Sequence, residues 1–476
     1  CVLGTLLFCT NNEPEENDCT KLTRKLELIR EILTLRLEGK CPIEGISTLL
    51  KRKQLQGSSV GNISKILNMV GSQLGDEIEV DNAITYAVFA SDEVFSRGRP
   101  ILITVDAISS AILKIELCED RSKGSWERHW KSLLSKGVQP LYLTNDEGVG
   151  MKAAQISTLG EIARQSDTFH AVSHRLGDFC RILESKAYKA IGEEYEREMV
   201  MKKSKSEAIK IKKTILYQMA KKRSVDLINL YENYLFWYHL AIEQFEIFNA
   251  KGKIKTPIEA LENLQLAMKE LELLDWQGSG LRGHQAKVEQ HCNTIRGLEN
   301  DLFYFLEHAQ SVVEPLLNQA TEREKEVIYA LCQAFQYSKN HRKVKNSKAK
   351  KYHKYKEKES LITAQILFET TKKMNHRPLN EVQDLFSNFS KQVYTTLDTI
   401  VQASSIVETI NSIVRTYFNV SKNQINQSQL NLIGFYHNHR KYRQGKRKGF
   451  SPMELLLQKK QEKDWLDILL AKINLN

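Results

Sequence analysis

Apolar positions recur at helical spacing over most of this chain, and the N-terminal part reads as three short helices. Between residues 21 and 80 these are KLTRKLELIREILTLRLEG, PIEGISTLLKRK and SSVGNISKILNMVGSQLG, the last opened by a serine cap. Short helices joined by tight turns are typical of a helix-turn-helix, in which Asn62 and Lys65 of the third helix would face DNA. A three-helix packing unit without DNA contact is the alternative interpretation.

The pattern changes between residues 81 and 184, where β-branched and aromatic residues predict strands. Three strands joined by tight turns come first, ITYAVFASDEVF, PILITVDAIS and AILKIELCED. A helix, the strand QPLYLTND, a second helix, the short strand DTFHAVS and a third helix follow. This order predicts an antiparallel meander extended into a mixed sheet with helices packed on it, and it is similar to the ribonuclease-H-like fold.

Two carboxylates fall at the ends of predicted strands. Asp92 lies in the first strand and Asp146 ends the fourth, and in a ribonuclease-H-like sheet those strands are neighbours. Like charges that close repel unless a cation lies between them, and Mg²⁺ or Mn²⁺ prefers such oxygen ligands. Each aspartate is also a good turn residue. Asp106, at the end of the second strand, is a competing candidate that ranks lower.

Residues 185–395 are helical in pattern and rich in aromatic residues that we expect in a core. Within them, residues 339–358 are dominated by lysine and arginine and have no apolar face, so we expect disorder or an exposed loop that binds phosphate. A solvated surface run is the alternative. The cations assigned to DNA here are Arg342, Lys343, Lys350 and Lys351.

A helix at SSIVETINSIVRTYFN, residues 404–419, places Glu408 among apolar neighbours. A carboxylate beside an apolar face is costly unless compensated, although for this glutamate taken alone a solvated edge position or a pair with Arg415 is the simpler explanation. The following HNHRKYRQGKRKG is strongly basic, and its histidines fit phosphate binding better than metal binding. The cations assigned to DNA here are Arg440, Lys441, Arg443, Lys446 and Arg447.

The net charge and the spacing of the cysteines indicate which partners and which cellular compartment to expect. The 476 residues carry a formal net charge of +11, which favours a polyanionic partner. The eight cysteines are scattered without a CxxC pair, so neither a zinc knuckle nor a redox pair is indicated and a reducing cytosol is expected. No apolar run approaches the roughly 20 residues that span a bilayer.

The first residues, CVLGTLLFC, start abruptly at Cys1, so we expect an N-terminal truncation. A signal-peptide core is the alternative, but no basic segment precedes it. The patterns together divide the chain into a tail, a helix-turn-helix domain, a first part of the sheet core, an all-α insertion, and a closing helix with a basic tail. These segments are 1–20, 21–80, 81–184, 185–395 and 396–476.

Taken in order, the three carboxylates resemble the pattern of a DDE transposase of the bacterial insertion-sequence type. FASDEVF resembles the strand of the first aspartate, and LYLTNDEGVGMKAA resembles the segment of the second. DTFHAVSHRL, with Asp167 and His170, resembles a (C/D)xxH element, and NLIGFYHNHRKYRQGKRKGFSPMELL resembles the closing segment. The separation between Asp146 and Glu408 implies a helical insertion.

The resemblance implies a mixed α+β, mostly α-helical protein with a ribonuclease-H-like core. It implies that Asp92, Asp146 and Glu408 hold two Mg²⁺ or Mn²⁺ ions and that His170 contacts the scissile phosphate. Water would cut the strand and the freed 3′ hydroxyl would attack target DNA. It further implies terminal-repeat and target DNA as partners, a homo-oligomer on DNA, and a cytoplasmic, nucleoid-associated location.

Two other functions remain compatible with the sequence. One is an inactive or domesticated relative that only binds DNA, which metal-dependent nicking would distinguish. The other is a helical scaffold or regulator with an accidental αβ segment, which loss of the strand order around Asp92 and Asp146 would favour.

Overall fold

The computed structural model describes residues 18–474 apart from short gaps. The gaps are residues 77, 79, 81–83, 146–147, 161–163, 167–171, 173–175, 277–279, 344–346, 372–377, 402–404, 423 and 446. The chain forms two compact units, one of Cys1–Ile162 with Ala403–Asn476 and one of Ala163–Gln402. The helical insertion expected at 185–395 falls within the second unit.

The first unit begins with the three helices that the apolar pattern predicts. Helix α1 (Asp18–Leu33) continues in a π-helical turn, Thr34–Glu38, and is followed by α2 (Ile43–Arg52) and α3 (Val60–Ser72). The predicted serine cap of α3 is Ser59, whose side chain accepts a hydrogen bond from the Asn62 N–H.

Helix α3 packs tightly against helix α15 (Gln427–His439) of the same unit. The Asn431 side chain donates to the carbonyls of Gly71 and Leu74, at 3.0 and 2.7 Å. A Cβ atom on Gly71 would lie 2.0 Å from the carbonyl oxygen of Ser428, so only glycine allows this approach. The three N-terminal helices are therefore packed onto the C-terminal segment in one unit.

Replacing Gly71 by alanine should destabilise the protein, because the new methyl group meets backbone that cannot move without separating α3 from α15. Overpacking of this kind costs about 1–3 kcal/mol or more. Gly61→Ala on the same helix is the matched control, since a Cβ there meets nothing within 4 Å and alanine favours helix by about 1 kcal/mol. Thermal unfolding of the two variants measures the difference. Equal melting temperatures would contradict the tight packing.

A small mixed sheet forms the centre of the first unit. Its strands are β1 (Thr85–Ser96), β2 (Arg99–Asp106), β3 (Ile112–Leu117) and β4 (Val138–Asn145). They lie in the order β3-β2-β1-β4, with β1–β2 and β2–β3 antiparallel and β1–β4 parallel. The predicted meander and the predicted neighbourhood of the first and fourth strands are therefore both present.

Helices cover the sheet as the sequence predicts. Helix α4 (Lys123–Ser135) buries Trp126, Trp130 and Leu133, which join strand residues such as Phe89 in one apolar core. Helix α5 (Val149–Leu159) packs on α4, and Gly160 is its C-cap. The fifth strand, β5, is Arg164–Ser166; the segment 167–173 predicted for it lies outside the described residues apart from Val172.

The second unit consists of long helices around one large apolar core. In chain order they are α6 (Gly177–Lys202), α7 (Glu207–Gln244), α8 (Pro257–Leu273), α9 (Arg282–Arg296), α10 (Glu299–Asn318), α11 (Glu322–Lys343), α12 (Ser347–Thr371) and α13 (Leu379–Leu397). Most of the predicted aromatic residues pack in or against this core, with Tyr234 fully buried and Trp237 partly buried, whereas Phe236 is exposed. The protein is therefore mostly helical with a small mixed sheet.

The basic run at 339–358 is helical wherever it is described, so the expectation of disorder or an exposed loop is wrong. Its two ends belong to α11 and α12, which pack side by side. Lysine has a good intrinsic helix propensity, and the neighbouring helix supplies the packing that the run itself lacks. Tyr337 of α11 lies against His353 of α12, with ring centroids 6.0 Å apart.

The C-terminal segment returns to the first unit with α14 (Ser405–Val420), α15, α16 (Pro452–Leu457) and α17 (Trp465–Asn474). Helix α14 packs on β1 and β2, and α15 packs on β3. Helix α16 opens with a capping box between Ser451 and Glu454. Within the described part of the chain, no helix has the length and apolar content needed to cross a membrane.

Candidate functional site

The Asp92 carboxylate on β1 is in direct contact with helix α14. The Asn411 amide nitrogen donates to one carboxylate oxygen at 2.5 Å, and the Glu93 N–H donates to the other at 2.8 Å. Asn411 is only 2% exposed, and its amide oxygen has no hydrogen-bond partner among the described residues. A buried polar pair of this kind fixes the helix against the strand at Asp92.

The end of β4 lies beside the same point of β1. Ser91 pairs with Asn145 in the strand register, and the Ser91 N–H donates to the Asn145 side-chain oxygen at 2.7 Å. This register ends one residue before Asp92 on one strand and one residue before Asp146 on the other. Asp146 itself lies outside the described residues.

Glu408 lies on α14 one turn before Asn411 and is exposed. Residues three apart share a helix face, with Cβ atoms about 5–6 Å apart. Asn411 contacts Asp92, so Glu408 lies one helical turn before the point at which α14 contacts β1. The residues that anchor this helix in the core are Val407, Ile410, Val414, Tyr417 and Phe418.

The donor atoms on this face suit a hard divalent cation. Carboxylate and carboxamide oxygens are the ligands that Mg²⁺ and Mn²⁺ prefer, and the unpartnered Asn411 oxygen lies beside the Asp92 carboxylate. Among the described residues no group of three or more histidine, cysteine, aspartate or glutamate side chains could hold a metal. The predicted trio includes Asp146, which is not one of those residues.

The competing carboxylate, Asp106, has a structural role. It is 2% exposed, and its two oxygens accept hydrogen bonds from the N–H groups of Val88 and Ser109, at 2.8 and 2.7 Å. These contacts tie the end of β2 to β1 and close the turn into β3. Asp106 is therefore occupied by the backbone of the sheet, which supports the lower rank given to it as a metal ligand.

The sequence did not predict a series of hydrogen-bonded polar side chains that begins at Ser91, next to Asp92 in β1. The hydroxyl groups of Ser91 and Thr104 are 2.8 Å apart, Thr104 is 3.1 Å from His129 Nε2, and His129 Nδ1 is 3.1 Å from Glu116. Burial lowers the pKa of His129, although Glu116 opposes that effect. Ser91, Thr104 and His129 are fully buried, so this series positions the strand beside Asp92.

The side chains of the basic C-terminal cluster contact other residues of the first unit. Arg440 lies against Tyr436 and Tyr442, with its guanidinium carbon 5.7 and 5.8 Å from the ring centroids. Lys441 is 3.7 Å from Glu454 and Arg443 is 3.8 Å from Glu38. Arg447 donates to the carbonyl of Ile108 at 2.6 Å, and Lys446 lies outside the described residues.

The histidines of this cluster do not fit the expected phosphate contact. His437 is 1% exposed and its Nε2 is 2.8 Å from the carbonyl oxygen of Ser110, which makes it a core residue. Nδ1 of His439 is 3.0 Å from the side-chain oxygen of Gln461, which joins the end of α15 to the segment before α17. The prediction of phosphate binding by His437 is wrong, because no phosphate can reach it.

His437 should make stability depend on pH. Burial, with the nearby Arg440 and Arg447 charges, lowers the pKa of His437 to about 4. The unfolded chain, whose histidines titrate near 6.5, binds the proton more readily, so stability is intact above about pH 6.5 and falls as the pH drops towards 4. The loss is on the order of 2 kcal/mol by pH 5. Thermal unfolding between pH 7.5 and 5 measures it.

The variant for this test is His437→Gln, whose slope against pH should be shallower than that of the wild type, with His129 supplying part of what remains. His239→Gln is the control, since His239 is an exposed position on α7. An unchanged slope in His437→Gln would contradict the assignment.

The remaining predicted DNA-binding residues have varied positions. Lys65 is exposed on α3, while Asn62 uses its amide to donate to the Gly57 carbonyl at 2.9 Å and so helps to hold the turn before α3. Lys350 and Lys351 are exposed on α12. His170 lies outside the described residues, as do the side chains of Arg342 and Lys343.

Asn411 is the residue of this site that the sequence did not single out. The sequence does contain a signal for it, because Asn411 lies one turn after Glu408 among apolar residues of the same helix. A buried amide there needs a hydrogen-bond partner. Comparisons of the chain with protein-family models and with curated proteins found no match.

Proposed function

We propose that this protein is a metal-dependent DNA strand-transfer enzyme of the DDE transposase type. The observation that carries the proposal is the hydrogen bond between Asn411 and Asp92, which sets the helix of Glu408 against β1. In the proposed site this contact would bring the carboxylates of Asp92 and Glu408, which are distant in the sequence, to one face of the sheet. A carboxylate cluster on a sheet edge is the arrangement that two-metal phosphoryl transfer needs.

The strand order gives independent support. An antiparallel meander with β4 parallel to β1, in the order β3-β2-β1-β4, agrees with a ribonuclease-H-like core, and the β1–β4 register runs up to the residues before Asp92 and Asp146. The division of the first unit by the second agrees with a helical insertion between the second and third carboxylates. An accidental αβ segment would not be expected to keep this order.

Within the proposed site, Asp92, Asp146 and Glu408 would hold the divalent ions, and Asn411 would orient Asp92. When bound, the ions would activate the attacking water or 3′ hydroxyl and stabilise the leaving 3′ oxygen. The protein itself would hold the carboxylates in place. The hydrogen-bonded side chains of Ser91, Thr104 and His129 and the packing of α14 on β1 would contribute to this. Strand transfer between an element end and target DNA would be performed by a homo-oligomer.

Nicking of supercoiled plasmid tests the proposal most directly. The protein should convert supercoiled to open-circular DNA in Mg²⁺ or Mn²⁺, and EDTA should stop the reaction. Binding measured on the same plasmid under both conditions separates chemistry from affinity. A protein that binds the plasmid but never nicks it in either metal would instead be a DNA-binding relative without catalysis.

A division of labour between two basic surfaces is also proposed. Replacing Lys350 and Lys351 by glutamine should weaken binding to all DNA alike. The slope of the logarithm of the binding constant against the logarithm of the salt concentration should become shallower by about one per lost phosphate contact. Replacing Lys65 by glutamine should mainly weaken binding to a duplex selected from a random pool. Fluorescence anisotropy on selected and random duplexes measures both. Equal losses on both duplexes from both sets would remove the case for a specific reader on α3.

A further inference from the structure

A cavity of about 760 Å³ lies in the first unit between the end of the π-helical turn, α14, the end of α15 and the segment before α17. Its wall carries cations and aromatic rings together with three carboxylates, and we call it the aromatic–basic groove. Its defining residues are Lys40, Arg440, Lys463, Tyr436, Tyr442 and Trp465. π-Helical turns are rare and often occur at functional sites.

Two cations that line the groove, Lys441 and Arg443, lie near carboxylates, whereas Lys40 and Arg440 lie near aromatic rings. Arg440 lies between the rings of Tyr436 and Tyr442, and Lys40 lies 5.8 Å from the centroid of the Tyr417 ring. Within the described ranges, Lys40, Arg440 and Lys463 form no ion pair. A guanidinium held between rings is ordered in advance and keeps donors available for an anion.

Two of the three carboxylates that line the groove, Glu38 and Asp464, accept hydrogen bonds from neighbouring residues. Glu38 accepts a hydrogen bond from the Trp465 indole at 2.7 Å and lies 3.8 Å from Arg443. Asp464 accepts from the Leu466 N–H at 3.0 Å, at the start of α17, and Glu462 is exposed at the rim. The groove therefore offers unpaired positive charge together with half-buried tyrosine faces.

We propose that the aromatic–basic groove binds an unpaired stretch of DNA, with phosphate on its cations and a base stacked on Arg440 or a flanking tyrosine. A cavity of this size suits one or two nucleotides. A duplex presents its phosphates on a convex surface with its bases already stacked, so it cannot enter such a cavity. Charged grooves with stacking surfaces are the general solution for single strands.

The aromatic–basic groove and the contact to Asp92 involve the same helix, α14, which relates the unpaired DNA to the proposed site of cleavage. Ile413 and Tyr417 of α14 line the groove, while Asn411 on the nearly opposite face of the same helix contacts Asp92. The two sites are thus separated by about one helix diameter, ~10–12 Å, a distance that a few nucleotides span. The inference rests on the proposed function for its substrate, and the groove would hold the strand that flanks the cut.

Binding in EDTA separates the two proposals, since it needs no metal and no cleavage. A fluorescent oligothymidylate should bind the wild-type protein, and Arg440→Gln together with Lys463→Gln should weaken that binding about tenfold or more. Affinity for a duplex of equal length should change less than about twofold. Lys131→Gln, at an exposed position on α4, is the matched control and should change neither.

Stacking is tested at Tyr442, whose hydroxyl is 2.5 Å from the Ser110 hydroxyl. Tyr442→Phe keeps the ring and should keep single-strand binding and the quenching of a 2-aminopurine probe, whereas Tyr442→Leu should lose both. Since Lys463 is exposed and Tyr442→Phe is conservative, these variants should fold even if Arg440→Gln does not.

Two results would overturn the inference. One is an unchanged single-strand affinity in the Lys463 and Tyr442→Leu variants, and the other is an equal loss on single-stranded and duplex DNA. Single-strand binding that depends on the groove in a protein that never nicks DNA would retain the inference while removing the proposed catalytic function.

Discussion

Replacing Asp92 or Glu408 by alanine is expected to abolish metal-dependent strand cleavage while DNA binding stays near the wild-type level. These carboxylates are proposed to hold the ions that carry the chemistry, so their loss should lower the rate by about 10³-fold or more. Binding rests on basic surfaces that neither substitution touches. Asp146→Ala should behave in the same way, and double replacements should add little because the carboxylates act as one unit.

Two further variants on β1 make this test sharper. Asp92→Asn keeps an oxygen that can accept the Asn411 hydrogen bond, so the helix stays docked while the negative charge is removed. Glu93→Gln is the matched control, because neighbouring strand residues face opposite sides of a sheet and Glu93 pairs with Arg121. Nicking assays and melting temperatures on all variants give the answer. Full cleavage by Asp92→Asn would remove Asp92 from the site.

The strands of the sheet and the meander of the first three were predictable from the sequence because their signals are local. Alternating β-branched and aromatic residues give β1 to β4 to within two or three residues, and the two turns of the meander carry glycine or serine. The inward faces followed as well, since Trp126 and Trp130 lie at helical spacing and are both buried. The pairing of β1 with β4 came from the resemblance and agrees with the observed register.

The features that were missed depend on partners far away in the chain. The basic run in α11 and α12 has no apolar face of its own, and only the packing of the two helices makes it ordered. His437 sits in a basic sequence, yet it is buried because α15 packs on β3 and brings it to Ser110. The role of Asn411 likewise exists only once α14 lies on β1.

The last two helices carry local signals. The segment MELLLQ predicts a helix, and α16 begins there with a capping box between Ser451 and Glu454 and proline at the first helical position. The apolar run of α17 was equally readable, but its helix begins after the charged segment 459–464 that obscures it.

Replacing Asp106 by alanine is expected to cost folding stability and to spare the chemistry of the molecules that still fold. The carboxylate accepts two buried backbone hydrogen bonds, from Val88 and Ser109, and alanine would leave both N–H groups unsatisfied. Each unsatisfied group costs about 1–3 kcal/mol, so a total of about 2–6 kcal/mol is expected. Asp106→Asn keeps one acceptor and should fall between alanine and the wild type.

The comparison with Asp92 tests which aspartate of the sheet belongs to the proposed metal site. Melting temperature and cleavage rate per folded molecule should separate the two, with stability lost in Asp106→Ala and cleavage lost in Asp92→Asn. The reason is geometric. Both carboxylate oxygens of Asp106 accept hydrogen bonds from backbone N–H groups, whereas Asp92 contacts α14, the helix that carries Glu408. A stable Asp106→Ala protein that no longer cleaves DNA would move the proposed metal site to the end of β2.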